Sequence, residues 1–395
     1  MLLTFRGGVD AGNKSEFLSG SVINTIGAGE TLVLPVPFGC TPVVEAGERV
    51  LAGQVVAVSD NEYGASLSSA VSGTVVKATA SRITIENDGE NTLCDRLEAD
   101  DPITLLRDAG VTDRFGFSAA QKVANAPALY IISCVEDQPY MVNVQALLSC
   151  RADEFIGGIK LLEKISENAH IVICTTPDLS EYASKLSEAL MEDERIQFLT
   201  VSGKYPQSWP HILKRTVTTE ESCEVIGTEE LCNIYRVFKT RMPVTEKIVT
   251  LSGDCMRRAE VFSVPYGTCV STLIKAGTSF KREPLKVVKG SVMNGDAIYN
   301  MRSPIDRTVS SVLTLFDHQH RYAGESHCIS CGRCDKVCPE GLSPGSIIKA
   351  YKLNDTATLS RLSVNSCTLC GCCSFICPAR VNLPLILRSA QLMGE

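Results

Sequence analysis

The sequence predicts a multidomain chain that mixes α+β and α/β parts. These are an N-terminal β-barrel or hairpin sandwich, a βαβ domain, a β-grasp-like module, and a C-terminal helical domain built on two cysteine motifs. Three observations carry this. Val, Thr, Gly and Ser fill the first 95 residues in short runs, apolar runs alternate with helical stripes from about 125 to 240, and nine of the 18 cysteines fall between 328 and 377. A chain of 395 residues is also longer than one core usually serves.

Composition narrows the function classes. With 44% apolar and 21% charged residues the chain is a folded one. A net charge of −7 argues against nucleic-acid binding as the main role. The outlier is 18 cysteines beside five His and one Trp. The opening MLLTFRGGVDAGNKSEF is charged within six residues and lacks a long apolar run, so no secretory leader is expected. Reduced, intracellular chemistry is then the expectation for the thiols, with metal the first candidate. The longest uncharged stretch, residues 362–379, is long enough to cross a bilayer but holds five cysteines, and reads as metal-binding chain.

In residues 1–95 two units, 42–57 and 70–76, alternate apolar residues with glycines at the corners. This suits a small barrel of biotinyl/lipoyl-carrier type. A carrier needs a lysine at the hairpin, and residues 59–69 contain none. The expectation is a barrel with no swinging arm.

Residues 126–134 (APALYIISC) read as a buried strand. Phe155, Ile159, Leu162 and Ile165 stripe a helix, 171–174 form a second strand, and Leu179, Ala183, Leu186 and Leu190 stripe a second helix before a third strand at 196–201. β-α-β-α-β predicts a parallel sheet with right-handed crossovers, a fold that often carries a nucleotide at its switch point. Strands at 247–251, 261–264 and 286–289, with a short helix at 270–275, make the β-grasp-like module. The polar stretch 302–307 reads as a linker into the last part.

There, Cys328-x2-Cys331-x2-Cys334-x3-Cys338-Pro339 is repeated by Cys367-x2-Cys370-x2-Cys373-x3-Cys377-Pro378. This is the dicluster ferredoxin spacing, in which the fourth cysteine of each run ligates the other cluster. The expected [4Fe–4S] sets are therefore Cys328, Cys331, Cys334 and Cys377, and Cys367, Cys370, Cys373 and Cys338. Gly332 and Gly371 allow close backbone approach, whose amides can tune the cluster sulfurs. Structural zinc is the competing reading, but Zn2+ sites usually pair two knuckles rather than two full quartets ending in Cys-Pro. Cys372 is expected to be packed and non-ligating. The nine cysteines outside the motifs read mainly as small core hydrophobes, and His318, His320 and His327 as surface loop residues. With 28 residues between Cys338 and Cys367, including a helix near 346–353, the unit is a helical insertion type.

The order of parts resembles the RnfC family, peripheral subunits of ion-translocating ferredoxin–NAD oxidoreductase complexes. The resemblance rests on Phe5-Arg6-Gly7-Gly8-Val9, residues 44–54, Glu136-Asp137-Gln138-Pro139-Tyr140 and Lys204-Tyr205-Pro206-Gln207. It continues through Met242-Pro243, residues 249–254, Val264-Pro265-Tyr266-Gly267-Thr268 and the two cysteine motifs. It implies an RnfC-type barrel at 1–95, an α/β domain akin to the complex I flavin/NADH subunit at 96–241, an SLBB-type module at 242–303 and a two-cluster domain at 304–395. It also implies an anaerobic bacterial setting, partner subunits, and a place on the cytoplasmic face of the inner membrane through them.

The family's flavin and NADH site uses a glycine-dense loop before the first strand. Here residues 109–118 keep only Gly110 and Gly116, and Asp113 brings a carboxylate toward the phosphate. Gln138 stands where the family has an acid, and Ser208-Trp209-Pro210 replaces a glycine-led turn. The expectation is that FMN and NADH binding is lost or weakened, with no catalytic residue of the chain's own. Three functions remain: a two-cluster electron-transfer subunit, an NADH-dependent flavin/iron–sulfur reductase, or an adaptor feeding a soluble reductase of the cobalamin- or proline-reductase type.

Overall fold

A computed structural model of the chain describes residues 2–12, 22–190, 193–316 and 326–393. In the N-terminal part a four-stranded antiparallel sheet runs Thr31–Pro35, Arg82–Asn87, Gly73–Thr79, Arg49–Val50, and faces a three-stranded one of Cys40–Pro42, Val55–Ser59 and Leu67–Ser68. Period-2 alternation turns Leu32, Leu34, Val56, Val75, Ile83 and Ile85 into the shared core.

The second part is a parallel sheet in the spatial order Ile196–Thr200, His170–Thr175, Leu129–Cys134, Cys223–Gly227. Numbered along the chain this is 3-2-1-4, so the order reverses between the first and fourth strands. The expected helical stripes are buried: Phe155, Ile159 and Leu162 on Ala152–Ile165, and Leu186 and Leu190 on Ser180–Leu190. The fourth strand is the addition that the periodicity did not announce, and it is what creates the switch point. It leads directly into the helix Thr228–Thr240.

A six-stranded mixed sheet follows in the order Ile23–Thr25, Glu260–Pro265, Glu246–Ser252, Ser311–Leu315, Lys286–Lys289, Asp296–Ile298. Its first edge strand comes from the N-terminal part of the chain. The linker reading of residues 302–307 is corrected here. Ile305 is wholly buried, the Arg307 guanidinium donates to the Ser66 carbonyl at 3.1 Å, and the next strand, Ser311–Leu315, lies inside the sheet. The polar composition concealed that Ile305 and Val309 both point into the sheet core.

The last part packs the helices Arg333–Val337, Pro344–Lys352, Thr356–Arg361, Cys372–Phe375 and Leu383–Met393 around Ile347, Leu359, Val364, Leu383 and Leu387. Residues 2–12 run across the parallel sheet and onto this helical unit, bridging Leu3 to Val201 and Val9 to Tyr205. The Gly8 amide donates to the Val337 carbonyl at 2.9 Å. Among the described residues no helix is long and apolar enough to cross a membrane.

Candidate functional site: two cysteine cavities and a switch-point pocket

The two cysteine runs fold alike. Ser330 and Leu369 hold φ +54°, and Gly332 and Gly371 hold +68° and +84° as N-caps of short helices. Gly341 and Arg380, each three residues past a fourth cysteine, are again left-handed. Each run thus wraps one tight loop and then turns away after Cys-Pro, and the consequence is an exchange. Cys328, Cys331 and Cys334 share a cavity with Cys377, while Cys367, Cys370 and Cys373 share one with Cys338.

Backbone amides surround the sulfurs. Ser330 N donates to Cys328 Sγ at 3.4 Å, Leu342 and Glu340 amides serve Cys338, and that of Leu369 serves Cys367. Such donors can tune a bound cluster. Among the described residues, no three His, Cys, Asp or Glu side chains converge to hold a single metal ion. Each quartet instead lines the wall of a cavity, which suits a group that presents several metal corners.

The cavities differ in setting. Cys328 and Cys331 are exposed, whereas Cys370 and Cys373 are buried. Cys372, also buried, turns its thiol toward the Tyr205 carbonyl at 3.8 Å and lies in a cluster with Tyr205, Trp209, Ile212 and Val9. Gly7 explains the N-terminal glycine pair: at φ +79°, a Cβ there would sit 2.6 Å from the Cys338 carbonyl oxygen. Of the remaining cysteines, Cys134, Cys174, Cys223, Cys232 and Cys255 are buried and Cys150 is exposed. His327 is exposed; His318 and His320 lie outside the described residues.

The third site is a pocket at the carboxyl ends of the first and fourth parallel strands, the place this topology reserves for ligands. Its walls include Asp113, Arg114, Glu136, Asn143, Ser208 and Glu230. Gly110 and Gly116 are not among them. Gly110 instead packs on the barrel, where a Cβ would meet the Ser66 carbonyl oxygen at 2.5 Å.

Asp113 closes the loop on itself. Its Oδ1 accepts the amides of Phe115 (2.8 Å) and Phe117 (3.0 Å), and its Oδ2 accepts Lys122 Nζ at 2.9 Å. Lys122 also donates to both Glu230 oxygens at 2.9 Å. Burial lowers the Lys122 pKa, but the Glu230 and Asp113 carboxylates outweigh it and hold the ammonium charged. Arg114 is likewise engaged, donating to Ser208 Oγ, while the Ser208 amide and hydroxyl donate to Asp137 at 2.7 and 2.5 Å. The amides and cations of this loop therefore already hold carboxylates or a hydroxyl.

Glu136 is the exception to this closure. Oε2 accepts the Val144 amide at 2.9 Å, Oε1 has no partner, and burial pushes the carboxyl up to about 7. Gln138 lines the adjoining cavity rather than this one, so the three sequence departures fall on two neighbouring cavities that share Arg114 and Phe115. Sequence reasoning missed Glu230 as a pocket residue and Lys122 as its ion-pair partner, because the two stand on separate helices and carry no local motif; Glu136, though in the 136–140 run, was not singled out either.

These features define a multidomain α+β protein in which a barrel-sandwich part precedes a switch-point α/β part. The family model described as the RnfC barrel sandwich hybrid domain matches residues 3–100, and that described as the Nuo51 FMN-binding domain matches 106–228. Along most of its length the chain is similar to proteins of the RnfC family. It is 26% identical to a subunit of the proton-translocating ferredoxin:NAD(+) oxidoreductase complex of Clostridium ljungdahlii, over 88% of this chain and 84% of that one. It is 24% identical to a subunit of the Na(+)-translocating ferredoxin:NAD(+) oxidoreductase complex of Acetobacterium woodii, over 89% and 88%. The NAD+-reducing [NiFe]-hydrogenase in its air-oxidized state shares the fold, with a TM-score of 0.50 at 13% identity, over 76% of this chain and 64% of that one.

Proposed function

We propose that this chain is an electron-transfer iron–sulfur subunit that relays single electrons through two [4Fe–4S] clusters. It would work within an RnfC-type complex, peripheral on the cytoplasmic face through partner subunits. Cys328, Cys331, Cys334 and Cys377 would hold one cluster, and Cys367, Cys370, Cys373 and Cys338 the other. In this reading residues 1–95 hold the barrel part and 96–241 the α/β part; the SLBB-type part, given by the sequence as 242–303, runs on through the strand Ser311–Leu315, and the cluster part follows it. A bound cluster supplies a one-electron couple whose potential follows sulfur hydrogen bonding and exposure. The chain's own residues supply the thiolates, the amides around them and the burial of the second site.

The observation that carries this is the exchange of the fourth cysteines between the two cavities. The Nuo51-type match favours a second reading, an NADH-dependent flavin reductase; Asp113 on the loop amides argues against flavin.

Anaerobic purification followed by iron, sulfide and flavin analysis separates the two. The relay predicts about eight irons, no flavin and no bleaching by NADH. Stoichiometric flavin with NADH-driven reduction would sink it. Cys373→Ser is expected to remove one cluster's EPR signal and leave the other; loss of neither refutes the ligand sets.

A further inference from the structure

We propose that the Tyr205 hydroxyl is a hydrogen-bond donor to Cys370 at the second cysteine site, and that it raises the reduction potential of the cluster held there. The proposal rests on the cluster reading above. Tyr205 is wholly buried, in one apolar cluster with Trp209, Cys370 and Cys372. Its hydroxyl is buried too and has no hydrogen-bond partner among the described residues. A buried phenol without an acceptor is costly, so the missing acceptor has to be accounted for.

Four ionisable groups act on this hydroxyl, Cys370 foremost, then Asp137, Cys372 and Arg114. The last three are poor candidates. The Asp137 carboxylate already accepts the Ser208 amide and hydroxyl at 2.7 and 2.5 Å. Cys372 is held protonated by its hydrogen bond to Cys370 and by burial, and a thiol is a weak acceptor. Arg114 is a donor only. That leaves Cys370. As a free thiol it too accepts weakly, but as a cluster ligand it is a thiolate, and the hydroxyl beside it then has an anion to donate to.

The surroundings of Cys370 already work in this direction. The Cys372 thiol first, then the Cys372 amide and the Thr368 hydroxyl, hold its pKa below the ordinary thiol value although burial opposes them. At the same site burial pushes Cys338, Cys367 and Cys373 up. Donation to a ligand sulfur draws charge off a cluster and stabilises its reduced, more negative state, which raises the potential. The competing use of Tyr205 is packing alone, since its ring stacks edge-on to Trp209 at 6.2 Å. Phenylalanine keeps the packing and removes the donor, so the two uses separate.

The test uses the full chain, purified anaerobically, with the EPR signal that Cys373→Ser removes marking the second site. In a potentiometric titration Tyr205→Phe is expected to move the oxidised-to-reduced ratio of that signal at least about tenfold toward oxidised. For a one-electron couple this is a potential about 59 mV lower, with the first site unmoved. A 3-fluorotyrosine at position 205, a stronger donor of nearly the same shape, is expected to move it the other way. Proton ENDOR after exchange into heavy water should show an exchangeable coupling at the second site that Tyr205→Phe lacks.

An unchanged second-site potential in Tyr205→Phe overturns the proposal and leaves Tyr205 a packing residue. Equal falls at both sites assign the change to the structure as a whole and overturn it too. Where Tyr205→Phe fails to load the second site, the absence of a rise with 3-fluorotyrosine overturns it. Iron near zero in the parent chain refutes the cluster reading, a failure distinguishable from all of these.

Discussion

At Asp113 a single carboxylate does what a bound phosphate does elsewhere: it collects two loop amides and an ammonium at 2.8–3.0 Å. Asp113→Gly frees the Phe115 and Phe117 amides and leaves Lys122 with Glu230 alone. FMN affinity, measured by quenching of flavin fluorescence, is expected to rise at least about tenfold, the worth of roughly one charge-assisted hydrogen bond. No gain would mean that the loop shape, not the carboxylate, excludes flavin.

Glu136 gives a pH prediction. Its carboxyl lies near Arg114, Asp137 and Asp178, and burial raises it from the usual 4.5 to about 7. The folded state therefore binds the proton more tightly than the unfolded chain does. Its stabilising contribution is full below about 4.5 and is lost as pH rises through about 7. Glu136→Gln removes that loss, so its stability relative to the parent should climb by up to roughly 3 kcal/mol across this window and level off above it. An unchanged stability difference between variant and parent at pH 5 and pH 8 would refute the buried carboxyl with its unpartnered Oε1.

At the scale of elements, the strap of residues 2–12 owes its path to Gly7. With φ +79° and 2.6 Å to the Cys338 carbonyl, any side chain must push the strap off the cysteine turn. Gly7→Leu is expected to cost about 2 kcal/mol or more. It should also expose residues 2–12 to proteolysis, and more so than Gly12→Leu, which shares the backbone strain at φ +66° but whose Cβ would meet nothing within 4 Å. Equal cleavage of both variants would refute the clasp.

What the sequence revealed at this scale follows the range of the signal. Phe155, Ile159 and Leu162 announce their helix because 3.6-residue spacing is local, and the cysteine runs announce their loops for the same reason. Cys223–Gly227 did not, because five residues between polar turns carry no period, yet that strand completes the switch point. The strand Ile23–Thr25 pairs with Glu260–Pro265, more than two hundred residues away, a partner no window of sequence contains. The same limit applies at the pocket. The carboxylate of Asp113 could be noticed from its loop, but its partner Lys122 and the competing Glu230 come from separate helices.

Across the whole molecule, one apolar junction ties the parts together. Val9 from the strap, Tyr205, Trp209 and Ile212 from the α/β part, and Cys370 and Cys372 from the second cysteine loop form one buried cluster, with Phe115 and Met293 against it. Trp209 stacks edge-on to Phe115 at 5.7 Å and to Tyr205 at 6.2 Å. It is also the chain's single tryptophan, so intrinsic tryptophan fluorescence reports this junction alone. Because the second cysteine cavity shares Cys370 and Cys372 with the junction, opening the junction should open the cavity. In denaturant, the Trp209 fluorescence transition is expected to coincide with partial loss of visible cluster absorbance. The more exposed first site should then follow its own course. Trp209→Ala, at a cost of about 3–5 kcal/mol for a buried tryptophan, should move the absorbance loss to lower denaturant and leave the barrel's unfolding in place. Complete Trp209 exposure with both clusters retained would show that the cysteine unit stands by itself, and that the junction joins the parts without stabilising the second site.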